Sequence, residues 1–89
     1  MMLFELGQIV ATPGALETMD RLGIHPQNLL FRHSLGDWGD LDEEDSQLND
    51  EAIATGQRIL SSYKIQGEKV WVITEWNRSA TTILLPSEY

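Results

Sequence analysis

The spacing of apolar positions divides the chain into a helical first half and a strand-rich second half. Thr12 and Pro13 supply an N-cap hydroxyl followed by a proline at the first helical position. Beyond them, apolar side chains recur at three-residue steps at Leu16, Met19 and Leu22. The pattern predicts a helix over 13–22 with these three side chains facing the interior.

Two more helices are expected before residue 56. Pro26 repeats the proline signal and predicts a helix that ends near Ser34 or Leu35, before Gly36. A third helix should begin within a stretch of acidic residues, because carboxylates are favourable near a helix N-terminus, and continue to about Thr55. Its apolar stripe comprises Leu48, Ala52, Ile53 and Gly56.

Alternation of apolar and polar residues in the second half predicts three strands. They run from Arg58 to Ile65, from Lys69 to Trp76 and from Ala80 to Leu85, with tight turns between them. The first ten residues mix apolar and polar positions around Gly7 and predict a short strand or an extended arm. The expected fold is a single α+β domain over 1–89. In it, two or three short N-terminal helices pack on a C-terminal three-stranded antiparallel meander. The arm is either an N-terminal edge strand of this sheet or an extended segment outside it.

Both faces of the middle predicted strand carry large apolar side chains. Val70, Val72 and Trp76 alternate along it with Trp71 and Ile73. We therefore expect helices on one face of the sheet, and the N-terminal arm or another subunit on the other.

Composition narrows the classes of protein to which the chain can belong. With 89 residues it holds one core, and 42% hydrophobic residues suffice to pack that core. It has no cysteine, which excludes disulfides, thiolate zinc sites and cysteine nucleophiles, and its two histidines disfavour a metal site built from imidazoles. It also has no run of about 20 apolar residues and no signal-peptide pattern. We therefore expect a cytoplasmic protein without a cofactor, a metal or membrane contact.

The net charge of −8 comes from one part of the sequence. Eight of the 14 acidic residues lie between Asp37 and Glu51, with no Lys or Arg among them, and the other six are balanced by the six basic residues. We call residues 37–51 the acidic segment. A chain with this balance lacks the basic footprint of a nucleic-acid binder, so no direct DNA binding is expected.

Three interpretations of the acidic segment remain open. In the first, it is a solvated helix start. In the second, it is an electronegative face that attracts a basic protein surface or imitates the phosphates of a nucleic acid. The residues predicted to bind such a partner are Asp37, Asp40, Asp42, Glu43, Glu44 and Asp45. A calcium site is the third interpretation, because Asp40, Asp42 and Glu44 alternate like ligands of a hard cation, although no glycine follows at the EF-hand position.

A metal-independent ribonuclease is an alternative function that rests on His33, Glu75 and Arg78. Such an enzyme needs a base for the 2′-hydroxyl proton, an acid for the leaving oxygen and a cation for the charge on the phosphorane. These three residues supply the required groups as catalytic candidates. The simpler interpretation is a surface pair between Glu75 and Arg78, with His33 at a helix end.

Several stretches of the sequence resemble a family of small proteins found on plasmids and other mobile DNA, often called plasmid-related proteins. They are Phe31-Arg32-His33, Gly36-Asp37-Trp38-Gly39-Asp40-Leu41, Val70-Trp71-Val72-Ile73-Thr74-Glu75, Arg78-Ser79 and Thr81-Thr82-Ile83-Leu84-Leu85-Pro86. The resemblance extends over nearly the whole chain. Some members carry a label that links them to the M subunit of type I restriction-modification systems. The present chain is too short for a methyltransferase fold, so a label that reflects gene neighbourhood implies a link to host defence instead.

These observations favour a non-catalytic interaction or inhibitor module of the mobile-element type, whose acidic face meets a basic protein partner. The order of helices followed by a meander is also similar to compact ribonuclease toxins of the barnase and RelE type, which is the fold-level basis of the alternative. A further alternative is a structural homodimer held together by strand faces around Trp71 and Ile73.

Overall fold

The structure is a computed structural model that describes residues 1–89. It has the α+β composition predicted from the sequence. The elements in chain order are β1 (Gln8–Ala11), α1 (Pro13–Leu22), α2 (Pro26–Ser34), α3 (Glu43–Thr55), β2 (Ile59–Ile65), β3 (Glu68–Thr74) and β4 (Ala80–Leu84), followed by a short 3₁₀ turn at Pro86–Glu88.

The sheet has four strands in the order β1-β4-β3-β2. The three-stranded antiparallel meander that the sequence predicts is thus extended to a mixed sheet by a strand from the N-terminal arm. The β2–β3 and β3–β4 pairs are antiparallel as expected, whereas β1 pairs with β4 in parallel, with Gln8 opposite Ala80. Gly7 permits this approach, because it has a φ of 66° and a Cβ at this position would lie 2.4 Å from the Arg78 carbonyl oxygen. The arm is therefore a strand whose partner lies at the far end of the sequence.

Side-chain caps fix the helix starts. Thr12 Oγ1 accepts a hydrogen bond from the Ala15 N–H at 3.1 Å, and the Asp42 carboxylate accepts one from the Asp45 N–H at 2.8 Å. Each cap satisfies a backbone donor that has no partner within the helix. The predicted helix α1 is confirmed at both ends, since it begins at Pro13 and ends before Gly23 in a left-handed conformation.

The inner face of the sheet is the one covered by the helices. Its main cluster contains Ala15, Met19, Leu29, Tyr63, Val70, Val72 and Ile83. A second cluster near the sheet edge contains Phe4, Trp38, Ala52 and Ile59. Two residues that the sequence assigned to inward stripes are exposed, because Leu16 is 46% and Leu48 57% accessible while Ala15 and Asn49 face the sheet instead.

The outer face of the sheet carries Leu60, Trp71, Ile73, Thr82 and Leu84. The C-terminal segment covers part of it, with the Tyr89 ring edge-on to Trp71 at 5.7 Å between centroids. The N-terminal arm, one of the two alternative covers expected for this face from the sequence, instead places Phe4 in the cluster on the inner side. None of the helices is both long and apolar enough to cross a membrane.

Candidate functional site

The acidic segment lies along the outer edge of β2. Gly39 forms a parallel bridge with Ser62, so the stretch 38–40 acts as a short additional strand. The Asp40 N–H donates to the Ser62 carbonyl at 2.6 Å, and the Ser62 N–H donates to the Trp38 carbonyl at 3.0 Å. The backbone that carries the first acidic residues is thereby fixed to the sheet.

Side chains of the same segment complete this attachment. The Asn49 side-chain amide donates to the Leu60 carbonyl at 2.7 Å and accepts from the Leu60 N–H at 3.2 Å, which is the pairing that a neighbouring strand would otherwise supply. The Trp38 indole N–H donates to the Asp50 carboxylate at 3.0 Å. Helix α3 is therefore held against β2 by polar contacts, and its acidic first turn is presented in one orientation.

Two of the predicted partner-binding carboxylates have intramolecular partners. Asp37 forms an ion pair with Arg32 at 2.6 Å, and this guanidinium holds the pKa of the Asp37 carboxyl below its ordinary value. Asp42 is the N-cap of α3. Both side chains are largely exposed, and their primary contacts are structural.

The other four predicted carboxylates are exposed and have neither an ion pair nor a side-chain hydrogen bond within the chain. They are Asp40, Glu43, Glu44 and Asp45. The nearest basic side chain in sequence, Arg32, is already bound to Asp37. None of these four carboxylates is therefore neutralised by a direct ion pair within the protein.

A groove separates the first turns of α3 from the outer face of the sheet. It consists of two adjoining depressions of about 450 and 270 Å³ that share Leu41, Asp45 and Leu60. The larger depression extends to Trp71 and Lys69, and the smaller one to Leu48 and Arg58. We call it the acidic groove, and its rim carries the carboxylates of Asp40, Asp42 and Asp45.

The floor and the ends of the acidic groove differ chemically from its rim. Apolar groups of Leu41, Leu60 and Trp71 line the interior, and one cation stands at each end, Lys69 and Arg58. Arg58 is occupied, because its guanidinium donates to the Tyr89 hydroxyl. An apolar floor with a carboxylate rim suits a side chain that combines an aliphatic stem with a cationic head.

His33, the first of the proposed ribonuclease residues, is completely enclosed in the core. Its Nδ1 lies 2.6 Å from Ser61 Oγ, and its Nε2 lies 2.9 Å from Thr74 Oγ1. The bonds continue from Thr74 to Thr81 at 2.7 Å and from the Thr81 hydroxyl to the Leu6 carbonyl at 2.7 Å. Burial lowers the pKa of His33 to about 4, so the ring is neutral near pH 7.

Arg78 and Glu75 do not join His33 in a common exposed site. The Arg78 guanidinium donates to the carbonyls of Ala52 at 2.7 Å and Gln57 at 2.6 Å, and so binds the C-terminal end of α3. The Glu75 side chain is exposed and forms no ion pair with Arg78. Both ring nitrogens of His33 thus bond to hydroxyl groups of the sheet, and both terminal nitrogens of the Arg78 guanidinium bond to backbone carbonyls at the end of α3.

The residues of the suggested calcium site are not grouped for a cation. No cluster of three or more His, Cys, Asp or Glu side chains in this structure has an arrangement that could hold a metal ion. Asp42, the middle residue of the suggested set, uses its carboxylate as a helix cap.

Comparisons with protein-family models, curated proteins and solved structures find no match to this chain. The candidate site therefore rests on the geometry of its own residues. Sequence reasoning located the carboxylates of the groove and the strand face that carries Trp71, but it missed the groove floor. Leu60 and Trp71 lie on different strands, and only the pairing of β2 with β3 brings them together beneath the acidic segment. The Asn49 contact was missed as well, since an asparagine in a helix carries no sign of the strand edge that it meets.

Proposed function

We propose that this chain is a non-catalytic interaction or inhibitor module of the mobile-element type, acting in the cytoplasm on a protein partner with a basic surface. The partner is held at the acidic groove. The observation that carries this proposal is the set of four exposed carboxylates without intramolecular partners beside an apolar groove. The resemblance of the chain to plasmid-related proteins adds the expectation that this partner belongs to host defence.

Electrostatics supports recognition of a basic partner. A cluster of like charges on an otherwise balanced body produces a local field that attracts cationic surfaces and raises the association rate. The carboxylates would lose some hydration on contact, and a partner's guanidinium or ammonium groups would replace it with charge-assisted hydrogen bonds. An acidic partner or a nucleic-acid backbone would meet repulsion at the same surface.

The apolar floor adds specificity to this attraction. A lysine or arginine stem can pack on Leu60 and Trp71 while its charged head reaches Asp40 or Asp45, and an arginine can also stack on the indole ring. Contacts of exposed charges alone contribute little, so a partner that also buries apolar surface here would bind more tightly than one that offers charge only.

Charge reversal at the groove should abolish most of this binding. We expect a synthetic basic peptide with interspersed apolar residues to change the tryptophan fluorescence of the protein, and the double variant Asp40→Lys, Asp45→Lys to bind it at least about tenfold more weakly. Affinity for the unmodified protein should fall as salt is added. The measurement is a fluorescence titration at two ionic strengths, with circular dichroism to verify folding. Asp42 is left unchanged because it caps α3.

A matched control separates the groove from total charge. The variant Glu17→Lys, Asp20→Lys makes the same change in net charge on α1, far from α3 in the sequence and on exposed positions. It should bind the peptide nearly as well as the unmodified protein. Equal weakening by both double variants would show nonspecific charge attraction, and no binding of the basic peptide would remove the proposed function.

A further inference from the structure

The two edges of the sheet differ in whether other parts of the chain cover them. The β2 edge is covered by residues 38–40 and by the Asn49 side chain, which take up its free hydrogen-bonding groups. The β1 edge has no neighbour beyond it, because β1 is the outermost strand and pairs only with β4. The unpaired backbone groups of an exposed sheet edge can accept another strand unless they are blocked.

The unpaired backbone groups of β1 can be identified from its pairing with β4. The Gln8 N–H donates to Ser79 and the Thr12 N–H to Ile83, each at 3.0 Å, so the even-numbered positions face β4. Backbone groups alternate in direction along a strand, which leaves the N–H and C=O groups of Ile9 and Ala11 directed outward. These four groups are a template for one more strand.

The edge carries no blocking side chain, although β1 is only four residues long. Gln8–Ala11 contains neither a charged residue nor a proline, two of the devices by which natural edges avoid association. Its apolar side chains are open, since Ile9 is 45% and Val10 43% accessible. An incoming strand would therefore gain apolar contact on both faces of the sheet together with the backbone hydrogen bonds.

The distribution of charge favours a second copy of the same chain as the occupant. The acidic segment lies at the β2 edge, three strand spacings or about 14 Å from β1. Two copies joined along their β1 edges place their acidic segments on opposite outer sides of the assembly. The neutral β1 edge is thus the one edge at which two such acidic molecules meet without opposing these charges.

We propose that the chain self-associates through β1, with the two strands antiparallel about a twofold axis. In the arrangement that uses the outward groups, Val10 faces its own symmetry mate and Ile9 faces Ala11, which gives a continuous eight-stranded sheet. The contact is small compared with typical stable interfaces, so the dimer is weak and depends on protein concentration. It leaves the acidic groove of each copy open and does not depend on its function.

Amide exchange and sedimentation of the unmodified protein test this proposal. As concentration rises from low micromolar to millimolar, the average mass should move toward that of a dimer, and exchange of the Ile9 and Ala11 amide protons should slow. The Gln8 amide, already bonded to Ser79, should show no comparable change. A chain that stays monomeric at millimolar concentration, or that associates without protection of Ile9 and Ala11, overturns the proposal. A monomeric result would leave the edge to a strand of another protein.

Two variants localise the contact. Val10→Lys brings two cations together across the twofold axis and should abolish the concentration dependence. Phe31→Lys changes another exposed apolar residue, 64% accessible on α2, and should behave like the unmodified protein. Equal loss of association in both variants overturns the assignment to β1. The exchange measurement on the unmodified chain decides the matter even where Val10→Lys folds poorly.

Discussion

Lowering the pH from 6.5 to about 4 should remove about 3 kcal/mol of unfolding free energy through His33 alone. In the folded protein burial lowers the pKa of this histidine to about 4, whereas in the unfolded chain it returns to the ordinary value of 6.5. Between these pH values the unfolded state binds a proton that the folded state does not. Stability is therefore complete above pH 6.5 and is lost progressively as the pH falls.

Measurements above pH 5 separate the contribution of His33 to stability from those of the carboxyl groups. The carboxyl groups of Asp37, Glu68 and Glu88 also have lowered pKa values, because Arg32, Arg21 and Thr12 respectively bind their charged forms. Their contributions are lost only as the pH falls through the acidic range of ordinary carboxyl groups, below about 5. Urea unfolding at intervals from pH 7 to pH 5 should thus report mainly on His33.

Replacement of each histidine provides the control for this measurement. His33→Gln should lower stability at pH 7, because Ser61 and Thr74 lose well-placed partners, and should flatten the pH dependence above pH 5. His25→Asn retains a side-chain acceptor at the N-cap of α2 and should leave the dependence unchanged. A slope that survives in His33→Gln would contradict the assignment.

Gly39→Ala should destabilise the protein by about 3–4 kcal/mol, well above the typical effect of a point substitution. Gly39 has a φ of 77°, and a Cβ there would lie 2.1 Å from the Ser62 carbonyl oxygen and 2.8 Å from the Tyr63 ring. Relief of this collision requires the stretch 38–40 to move off β2. That movement breaks the backbone bonds to Ser62 and exposes Trp38, which is 5% accessible in the folded protein.

Gly56→Ala separates the collision from the strain of the left-handed backbone. Gly56 has a nearly identical φ of 74°, yet nothing lies within 4 Å of the position of its added Cβ. This substitution should cost only about 1–2 kcal/mol, since it adds backbone strain without a clash. Urea unfolding followed by tryptophan fluorescence measures both effects. Equal destabilisation by the two substitutions would show that the close approach to β2 carries no energetic weight.

Local signals in the sequence predicted the starts of the helices and three of the strands. The pair Thr12-Pro13 predicts the start of α1 because capping and the missing proline N–H are properties of adjacent residues. The pairing of β1 with β4 could not be predicted in the same way. It joins Gln8 to Ala80, and a four-residue strand carries too short a pattern to indicate a partner so distant along the chain.

The predicted inward stripes of α1 and α3 are confirmed at Met19 and Ala52 and wrong at Leu16 and Leu48. Leu16 and Leu48 were assigned inward because they are large and apolar, yet Ala15 and Asn49 occupy the buried positions beside them. A small side chain lets a helix approach the sheet closely, and the Asn49 amide finds a strand edge that satisfies both of its polar groups. Hydrophobicity alone could not predict the burial of Ala15 or Asn49, because each depends on the part of the sheet that packs against the helix.

The candidate site was likewise predicted only in part, because some of its contacts exist only in the folded sheet. The carboxylates of the acidic segment are evident from composition, and four of them are exposed and unpaired in the structure. The burial of His33 was not expected, since a single histidine near a helix end gives no indication of hydroxyl groups on two distant strands. Ser61 and Thr74 supply them, and only the folded sheet brings them to the ring.

The hydrogen bonds around His33 also bear on how accurately the strands align during folding. Ser61 and Thr74 reach the two ring nitrogens only when each strand presents that residue to the inner side, and a slip of one position would replace the Thr74 hydroxyl with Ile73 or Glu75. The imidazole would then be buried without partners, which is costly in an apolar interior. Misaligned sheets are thereby penalised in a way that interchangeable aliphatic side chains could not achieve.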